Sequence, residues 1–109
     1  MNDRTYCGWS NYETWLVNLW LGNDERSYRY CRDLATGHMR AAPTCRQVLD
    51  GTWTVQQAAK FNLADRLKDD ITDNVPLQEA NLYSDLLGAA LSEVKWDEVA
   101  ESLLEDLPA

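Results

Sequence analysis

Residues 9–21, with the sequence WSNYETWLVNLWL, decide the fold of this chain. Large apolar side chains recur there with the spacing of one helical face, at Tyr12, Trp15, Leu16, Leu19 and Trp20. Spacing by three and four residues predicts an amphipathic helix whose apolar stripe must be covered by other elements. We therefore predict that this helix is the central element of the fold, with all of these side chains except Tyr12 in the core.

The limits of this first helix are also encoded locally. Ser10 is followed three residues later by Glu13, a capping-box pattern in which each side chain bonds the backbone of the other. Gly22 and Asn23 are typical of a helix end. The sequence therefore predicts a helix over residues 11–21 that is capped by Ser10.

A polar ladder runs along another face of the same helix. Asn11, Thr14 and Asn18 fall at i, i+3 and i+7, so their side chains project from one side. Two interpretations are open at this point. Either the ladder hydrogen-bonds with neighbouring backbone groups, or it offers a directional binding site beside Trp9.

The rest of the chain carries further helical signals. Asn23 and Thr54 are predicted N-caps, and Gly37 is a predicted helix end. The predicted helices cover residues 24–36, 55–72, 77 or 79 to 94, and 97–106, with one or two helical turns at 44–49. The last two are either separate helices or one bent helix. No stretch alternates apolar and polar residues long enough to predict a strand.

The length of the chain bounds this architecture. A chain of 109 residues is enough for one compact domain and too short for two. Five Trp and five Tyr residues provide much of the apolar surface that such a domain can bury. We predict a single all-α domain over residues 1–109, with four to five helices packed around the aromatic-rich N-terminal helix.

The net charge of −8 is unevenly distributed. Residues 1–53 contain six acidic residues and six arginines, whereas residues 54–109 contain twelve acidic residues and four basic ones. The second half therefore carries the whole net charge. Such a half is unsuited to nonspecific binding of nucleic acid or anionic lipid, and it is suited to a partner with a basic surface.

Two rows of carboxylates stand out in the acidic half. The first row has i, i+4, i+8 spacing and the second i, i+3, i+7: Asp65, Asp69 and Asp73, then Glu98, Glu101 and Glu105. Evenly spaced carboxylates can imitate a row of phosphates and occupy a basic groove that normally holds nucleic acid. We predict that these rows form the partner-binding face, although such spacing is also common on ordinary solvated helices.

One alternative binding face is basic and aromatic. Arg26, Arg29 and Arg32 lie on the second helix with Tyr28 and Tyr30, a combination that can pair with phosphates and stack on bases. Acidic residues are interspersed among them, however, and the sequence pI is about 4.4. The composition therefore argues against nucleic acid as the partner, and a solvated face with local ion pairs is the simpler interpretation.

The cysteines and the single histidine provide little chemistry. Cys7, Cys31, Cys45 and His38 are possible zinc ligands by type, but no C-x-x-C or H-x-x-x-H pair is present. A small hydrolase around His38, with Cys45 and Asp50, is a second alternative, although no oxyanion-loop signature accompanies it. We predict a non-enzymatic protein with no catalytic residue, metal, cofactor or essential disulfide.

The chain has no signal for export or membrane insertion. The residues after Met1 are polar, without the basic and apolar regions of a signal peptide. The longest apolar runs are far too short to span a bilayer. We predict a cytoplasmic protein, and the sequence leaves its oligomeric state open.

Two segments resemble a known group of proteins. Residues 11–15, NYETW, with Leu19-Trp20-Leu21 and Asn23-Asp24, resemble the N-terminal signature of small, mostly uncharacterised proteins encoded by phages, plasmids and integrated mobile elements. Residues 86–94, LLGAALSEV, with Trp96 and residues 98–101, EVAE, are similar to their C-terminal part. The resemblance implies an accessory protein of a mobile element, acting in a bacterial or archaeal host, and it transfers no activity or catalytic residue.

Small acidic accessory proteins of this kind are often inhibitors of host defence, such as anti-restriction or anti-CRISPR proteins. Some of them act as DNA mimics, which is compatible with the carboxylate rows described above. The resulting expectation is a protein that inhibits a host nucleic-acid-processing machine by contacting a host protein with a basic surface.

Overall fold

The computed structural model of the chain describes residues 6–75 and 79–108. Within these ranges the secondary structure is helical, apart from an isolated antiparallel bridge between Tyr6 and Trp9. The helices are α1 (Tyr12–Asn23), α2 (Glu25–Ala41), α3 (Arg46–Leu49), α4 (Val55–Asp73), α5 (Leu82–Ser92) and α6 (Trp96–Glu105), with a 3-10 turn at Ala42–Thr44. The predicted all-α fold class is confirmed.

The caps of α1 and α2 lie one residue later than predicted. Asn11, not Ser10, caps α1, and its side chain accepts the backbone N–H of Thr14 at 2.9 Å. Ser10 cannot serve as the cap because its N–H and hydroxyl both donate to the Glu98 carboxylate on α6. Asp24, rather than Asn23, caps α2. Because Ser10 is bonded to Glu98, it does not form the predicted capping box with Glu13.

Helix α4 follows its sequence signals closely. Thr54 caps it, and a capping box joins the Thr54 and Gln57 side chains to each other's backbone N–H groups. By contrast, the predicted end of α2 at Gly37 is wrong, because the helix continues to Ala41. A glycine inside a helix costs only about 1 kcal/mol. Burial of Ala42 beyond it, with Met39 packed nearby, opposes that cost.

The core lies between α2, α4 and α6. Its largest fully buried apolar side chains are Leu63 and Leu67 on α4 and Val99 on α6, joined by Cys31 on α2. A second, smaller cluster of buried alanines, Ala42, Ala58 and Ala59, joins α4 to the 3-10 turn. Helix α4 contributes to both clusters and packs against α2, α3, α6 and the 3-10 turn, whereas α1 packs on α2 and α6.

The prediction that the apolar stripe of α1 forms the core is therefore wrong. Thr14 is the one fully buried residue of α1, while Trp20 is 66% exposed and Trp15 is half-buried. The helix packs on the core through Val17 and Leu21, which share the face of Thr14. Leu16 and Leu19 are likewise half-buried. The aromatic stripe points the other way, because helical geometry places its centre about half a turn from Thr14.

The alternative left open for the last two helices is resolved as two separate elements. Helix α5 is capped by Asn81 and ends at Ser92, and α6 begins at Trp96. The predicted earlier start of α5 falls partly on residues 76–78, which lie outside the described residues. Val94, buried between the two helices, anchors the junction to the core.

Candidate protein-interaction surfaces

The first carboxylate row lies on the exposed side of α4. Asp65, Asp69 and Asp73 are all exposed, and none of them forms an ion pair or hydrogen bond with the described residues. Asp70, which interrupts the row in sequence, is different because it bonds Arg66 and Tyr30. The row is therefore three exposed carboxylates without a bonded partner among the described residues, along one helix.

The second row is only partly free. Glu101 and Glu105 are exposed and have no bonded partner among the described residues, but Glu98 is half-buried. The Glu98 carboxylate accepts the Ser10 N–H at 3.0 Å and also the Ser10 hydroxyl. Glu98 thus ties the N-terminal segment to α6, a structural role that the spacing of the row does not reveal.

No groove of the described structure brings the two rows together. Glu101 and Glu105 line a groove with Gly8 and Trp9 on one side of α6, and a second groove with Met39 and Lys60 on the other. Asp65 lines a different groove, where Lys68, Lys95 and Asp97 also lie. A partner contacting both rows must therefore reach more than one of these grooves.

The polar ladder of α1 is used inside the fold. The hydroxyl of Thr14 accepts the N–H of Lys95 at 2.9 Å and donates to the side chain of Asn11 at 2.6 Å. Asn11 in turn donates to the carbonyl of Glu93 at 2.7 Å. Asn18 is half-buried, and its side chain makes no hydrogen bond with the described residues. Of the two interpretations left open, the geometry of Asn11 and Thr14 matches backbone capping.

The arginines of α2 are mostly paired within the protein. Arg29 forms an ion pair with Glu25, and Arg32 donates to the Tyr28 hydroxyl at 3.2 Å. Arg26 is exposed, next to the Asp24 cap. Such i, i+4 pairs are typical of a solvated helix face. Of these three arginines, only Arg29 is paired with a carboxylate among the described residues, because a hydrogen bond to the neutral Tyr28 hydroxyl leaves the charge of Arg32 in place.

A small network joins α2 to α4 beside this face. The Tyr30 hydroxyl donates to the Asp70 carboxylate at 2.6 Å, and the Arg66 guanidinium donates to the same carboxylate at 3.1 Å. The hydrogen bond from Tyr30 is the main cause that lowers the pKa of Asp70; Arg66 adds to it, and slight burial opposes it. The network therefore depends on an ionised Asp70.

The Asp70 network predicts a loss of stability in acid. A carboxyl with a lowered folded-state pKa contributes stability above its usual value of about 4, and this contribution disappears as the pH falls through the folded pKa. Between neutral pH and about pH 3, the free energy of unfolding should therefore fall less in Asp70→Asn than in the parent. The difference between the two should be small, below about 1 kcal/mol, because the network is near the surface. Asp69→Asn, at an unbonded neighbour, should keep the parental pH dependence. Equal profiles for Asp70→Asn and the parent would contradict this assignment.

The residues considered for a hydrolase have other partners. The Cys45 thiol donates to the Gln47 side chain at 2.9 Å, and the Asp50 carboxylate accepts the Thr52 hydroxyl at 2.7 Å. Within the described residues, neither is hydrogen-bonded to His38. Burial lowers the pKa of His38, and the charge of Arg66 adds to this effect. His38 lies in the last turn of α2, not beyond its end as the sequence predicted.

The three cysteines lie in different surroundings. Cys7 is exposed in the N-terminal turn, Cys31 is in the core, and Cys45 is half-buried near α3. Burial raises the pKa of the Cys31 thiol to about 11, so it remains protonated at neutral pH and is a poor metal ligand or nucleophile. Over the described ranges, no three His, Cys, Asp or Glu side chains are placed to share a metal ion.

Sequence analysis missed two apolar surfaces. One is an aromatic cluster in which the Tyr6 ring lies 5.2 Å from Tyr12 and 5.0 Å from Trp15. Positive φ values at Cys7 and Gly8 turn the N-terminal segment back so that Tyr6 reaches α1. The other is α5, none of whose residues is buried. The sequence signal for this surface is the composition of α5, LYSDLLGAALS, which has few polar residues. A helix of that composition is normally covered by another element or by a partner.

Membrane insertion is not indicated for any described helix. None of the helices within 6–75 and 79–108 combines the length and the apolar content needed to cross a bilayer.

Comparison with known proteins gives one match. A model of a family of unknown function (DUF7249) matches residues 2–106 of the chain. No curated protein and no solved structure shows a significant match.

Proposed function

The chain belongs to the DUF7249 family of unknown function, and because that family offers no activity to transfer, we propose from the geometry that the protein is a small, acidic, non-enzymatic binding protein. Its partner is a host protein with a basic surface. The observation that carries the proposal is the set of exposed carboxylates that have no partner among the described residues: Asp65, Asp69, Asp73, Glu101 and Glu105.

Electrostatics favours a protein partner over a nucleic acid. The half of the chain after residue 53 carries a net charge of −8, and like charges on one surface raise the potential that an approaching cationic surface experiences. That potential repels phosphates and accelerates association with a basic protein surface. The α2 arginines do not offset it, because residues 1–53 contain as many acidic residues as arginines and carry no net charge.

The biological setting belongs to the same proposal. The resemblance of NYETW and LLGAALSEV to phage, plasmid and mobile-element proteins supports an accessory protein that acts in the cytoplasm of a bacterial or archaeal host. An acidic surface that occupies a groove meant for nucleic acid would inhibit a defence or nucleic-acid-processing machine, in the manner of anti-restriction or anti-CRISPR proteins. Capture from the native host followed by mass spectrometry is the way to identify the partner.

Charge reversal tests the proposal on the captured partner. We expect the variant Asp65→Lys, Asp69→Lys, Asp73→Lys and Glu101→Lys to associate at least about tenfold more slowly than the parent, because several carboxylates steer the encounter together. Glu98 is left unchanged because it bonds Ser10. Stopped-flow association rates at low and high salt provide the measurement, and the difference should shrink as salt screens the exposed charges.

The control for this test is a reversal elsewhere on the surface. Asp33→Lys changes an exposed carboxylate on α2 and is matched to the single change Asp69→Lys on α4. Asp33→Lys and Asp69→Lys should each have little effect on the association rate, since one exposed charge pair contributes only about 0–1 kcal/mol. A quadruple variant that associates at the parental rate would overturn the proposal.

The two alternatives have direct tests of their own. A nucleic-acid-binding accessory protein using Arg26, Arg29 and Arg32 should shift DNA or RNA in a low-salt gel and lose affinity steeply as salt is added. A small hydrolase around His38 should lose its activity in His38→Ala. No contact in the structure favours either alternative: Arg32 donates to the Tyr28 hydroxyl, and the Cys45 thiol donates to the Gln47 side chain.

A further inference from the structure

Helix α5 exposes apolar surface along its whole length. Of its eleven residues, LYSDLLGAALS, none is buried, and three of the largest side chains are among the most exposed in the chain. Leu82 is 66% exposed, Tyr83 68% and Leu86 59%. A helix with so few polar residues is normally covered by other elements. A contiguous exposed apolar patch rimmed by polar residues typically marks an interaction site.

The two sides of α5 have different surroundings. Ser84, Leu87, Gly88 and Leu91 line a groove of about 470 Å³ that α5 forms with α4. Leu82, Leu86 and Ala89 follow at i, i+4 and i+7 on the opposite side, which we call the outer face. This spacing is the one that helical partners recognise when two helices pack side by side.

Acidic residues outnumber basic ones around α5, and Lys68 lies in the groove on the side away from the outer face. Residues 69–94 contain no lysine or arginine and six acidic residues: Asp69, Asp70, Asp73, Glu79, Asp85 and Glu93. Asp85 lies within α5, and Glu79 and Glu93 lie just beyond its two ends. An anionic rim repels a second copy of this chain, which brings the same charges, and it also repels anionic lipid. It attracts a cationic partner.

We propose that the outer face of α5 is a docking site for an amphipathic helix of the partner protein, one whose apolar stripe is flanked by lysine or arginine. The apolar stripes of the two helices pack together, and the flanking cations pair with Asp85, Glu79 and Glu93. This inference rests on the proposed function and deepens it: α5 supplies the apolar anchor, and the carboxylates of α4 and α6 supply the long-range attraction.

A synthetic peptide is the probe for the test. A helical peptide of about 18 residues, or about five turns, carries leucine along one face and lysine elsewhere. A second peptide replaces the leucines by serine, and a third replaces the lysines by glutamate. Fluorescence anisotropy measures binding of each labelled peptide to the full chain. We expect the first peptide to bind at least about tenfold more tightly than the other two.

Matched leucine variants localise the contact. Leu82→Ser with Leu86→Ser should weaken binding of the first peptide at least about tenfold, because two apolar anchors are removed. Leu49→Ser changes a leucine that is 72% exposed on α3 and should leave binding unchanged. Amide chemical shifts of the parent protein, measured with and without the peptide, should change most over Leu82–Ser92. This measurement keeps the test decisive even if the double variant folds poorly.

Several outcomes would overturn the inference. One is equal binding by the double variant and Leu49→Ser, and another is no binding of the first peptide up to about 1 mM. A dimer of the parent in sedimentation that the double variant abolishes would assign the face to a second copy. Co-sedimentation with neutral phosphatidylcholine vesicles would assign it to lipid. If charge reversal on α4 weakens binding while the α5 variant does not, this inference fails and the proposed function stands.

Discussion

Leu63→Ala should lower the free energy of unfolding by about 2–5 kcal/mol, because Leu63 is fully buried where α4 meets α2 and α6. The lost transfer energy accounts for part of this effect and the cavity left behind for the rest. Helix α4 packs against both neighbours over most of its length, so the surrounding side chains have little freedom to collapse into the space. This substitution tests whether α4, and not α1, is the central element.

The matched control is the same substitution on α5. Leu86 is 59% exposed, so Leu86→Ala should change the free energy of unfolding by no more than about 0.5 kcal/mol. Urea denaturation followed by circular dichroism measures both variants against the parent. A loss for Leu86→Ala equal to or greater than that for Leu63→Ala would show that the core lies elsewhere.

Local sequence signals predicted the helices well because their causes are local. Thr54 and Gln57 are three residues apart, and the capping box they form needs no other part of the chain. The apolar stripe of α4 is a local signal as well, because its residues repeat every three or four positions, as in any helix: Ala59, Leu63, Ala64, Leu67 and Ile71. At Gly37 the same logic was misleading, because the residues beyond it gain more from packing than the glycine costs.

The orientation of α1 illustrates what periodicity does not determine. A stripe of large apolar residues identifies a face but does not say what covers it. In α1 the opposite face is buried, because Thr14 and Asn11 satisfy backbone groups at the α5–α6 junction more than 80 residues away. A polar residue with all its hydrogen bonds made can be buried at little cost, whereas the same residue unpaired could not. Only the tertiary structure shows that these partners exist.

Some features of the candidate surfaces could be predicted from the sequence, and others depend on distant contacts. Exposure of Asp65, Asp69 and Asp73 agrees with their place off the apolar stripe of α4. The role of Glu98 was not predictable, because its partner Ser10 lies 88 positions away in sequence. The unburied state of α5 was also hidden, since an apolar helix looks the same in sequence whether its cover comes from its own chain or from another protein.

The second large effect is expected at Thr14, whose hydroxyl is the one buried polar anchor of α1. Thr14→Val keeps the shape of the side chain but removes the acceptor for the Lys95 N–H and the donor to Asn11. The hydrogen bond from the Lys95 N–H is partly buried, and an N–H left without a partner in a buried position costs about 1–3 kcal/mol, so we expect a loss toward the lower end of that range in the free energy of unfolding. Hydrogen exchange should also show the Lys95 amide losing protection.

Thr14→Ser separates the hydroxyl from the packing. It keeps both hydrogen bonds and removes one methyl group, which should cost about 0.8 kcal/mol, less than the valine variant. If the methyl group mattered more than the hydroxyl, serine would be the more damaging change. A valine variant as stable as the parent would mean that α1 is held by Val17 and Leu21 alone. We expect the free energy of unfolding to be highest for the parent and lowest for the valine variant. That order would support a role of the Thr14 hydrogen bonds in holding α1 with its aromatic stripe toward solvent.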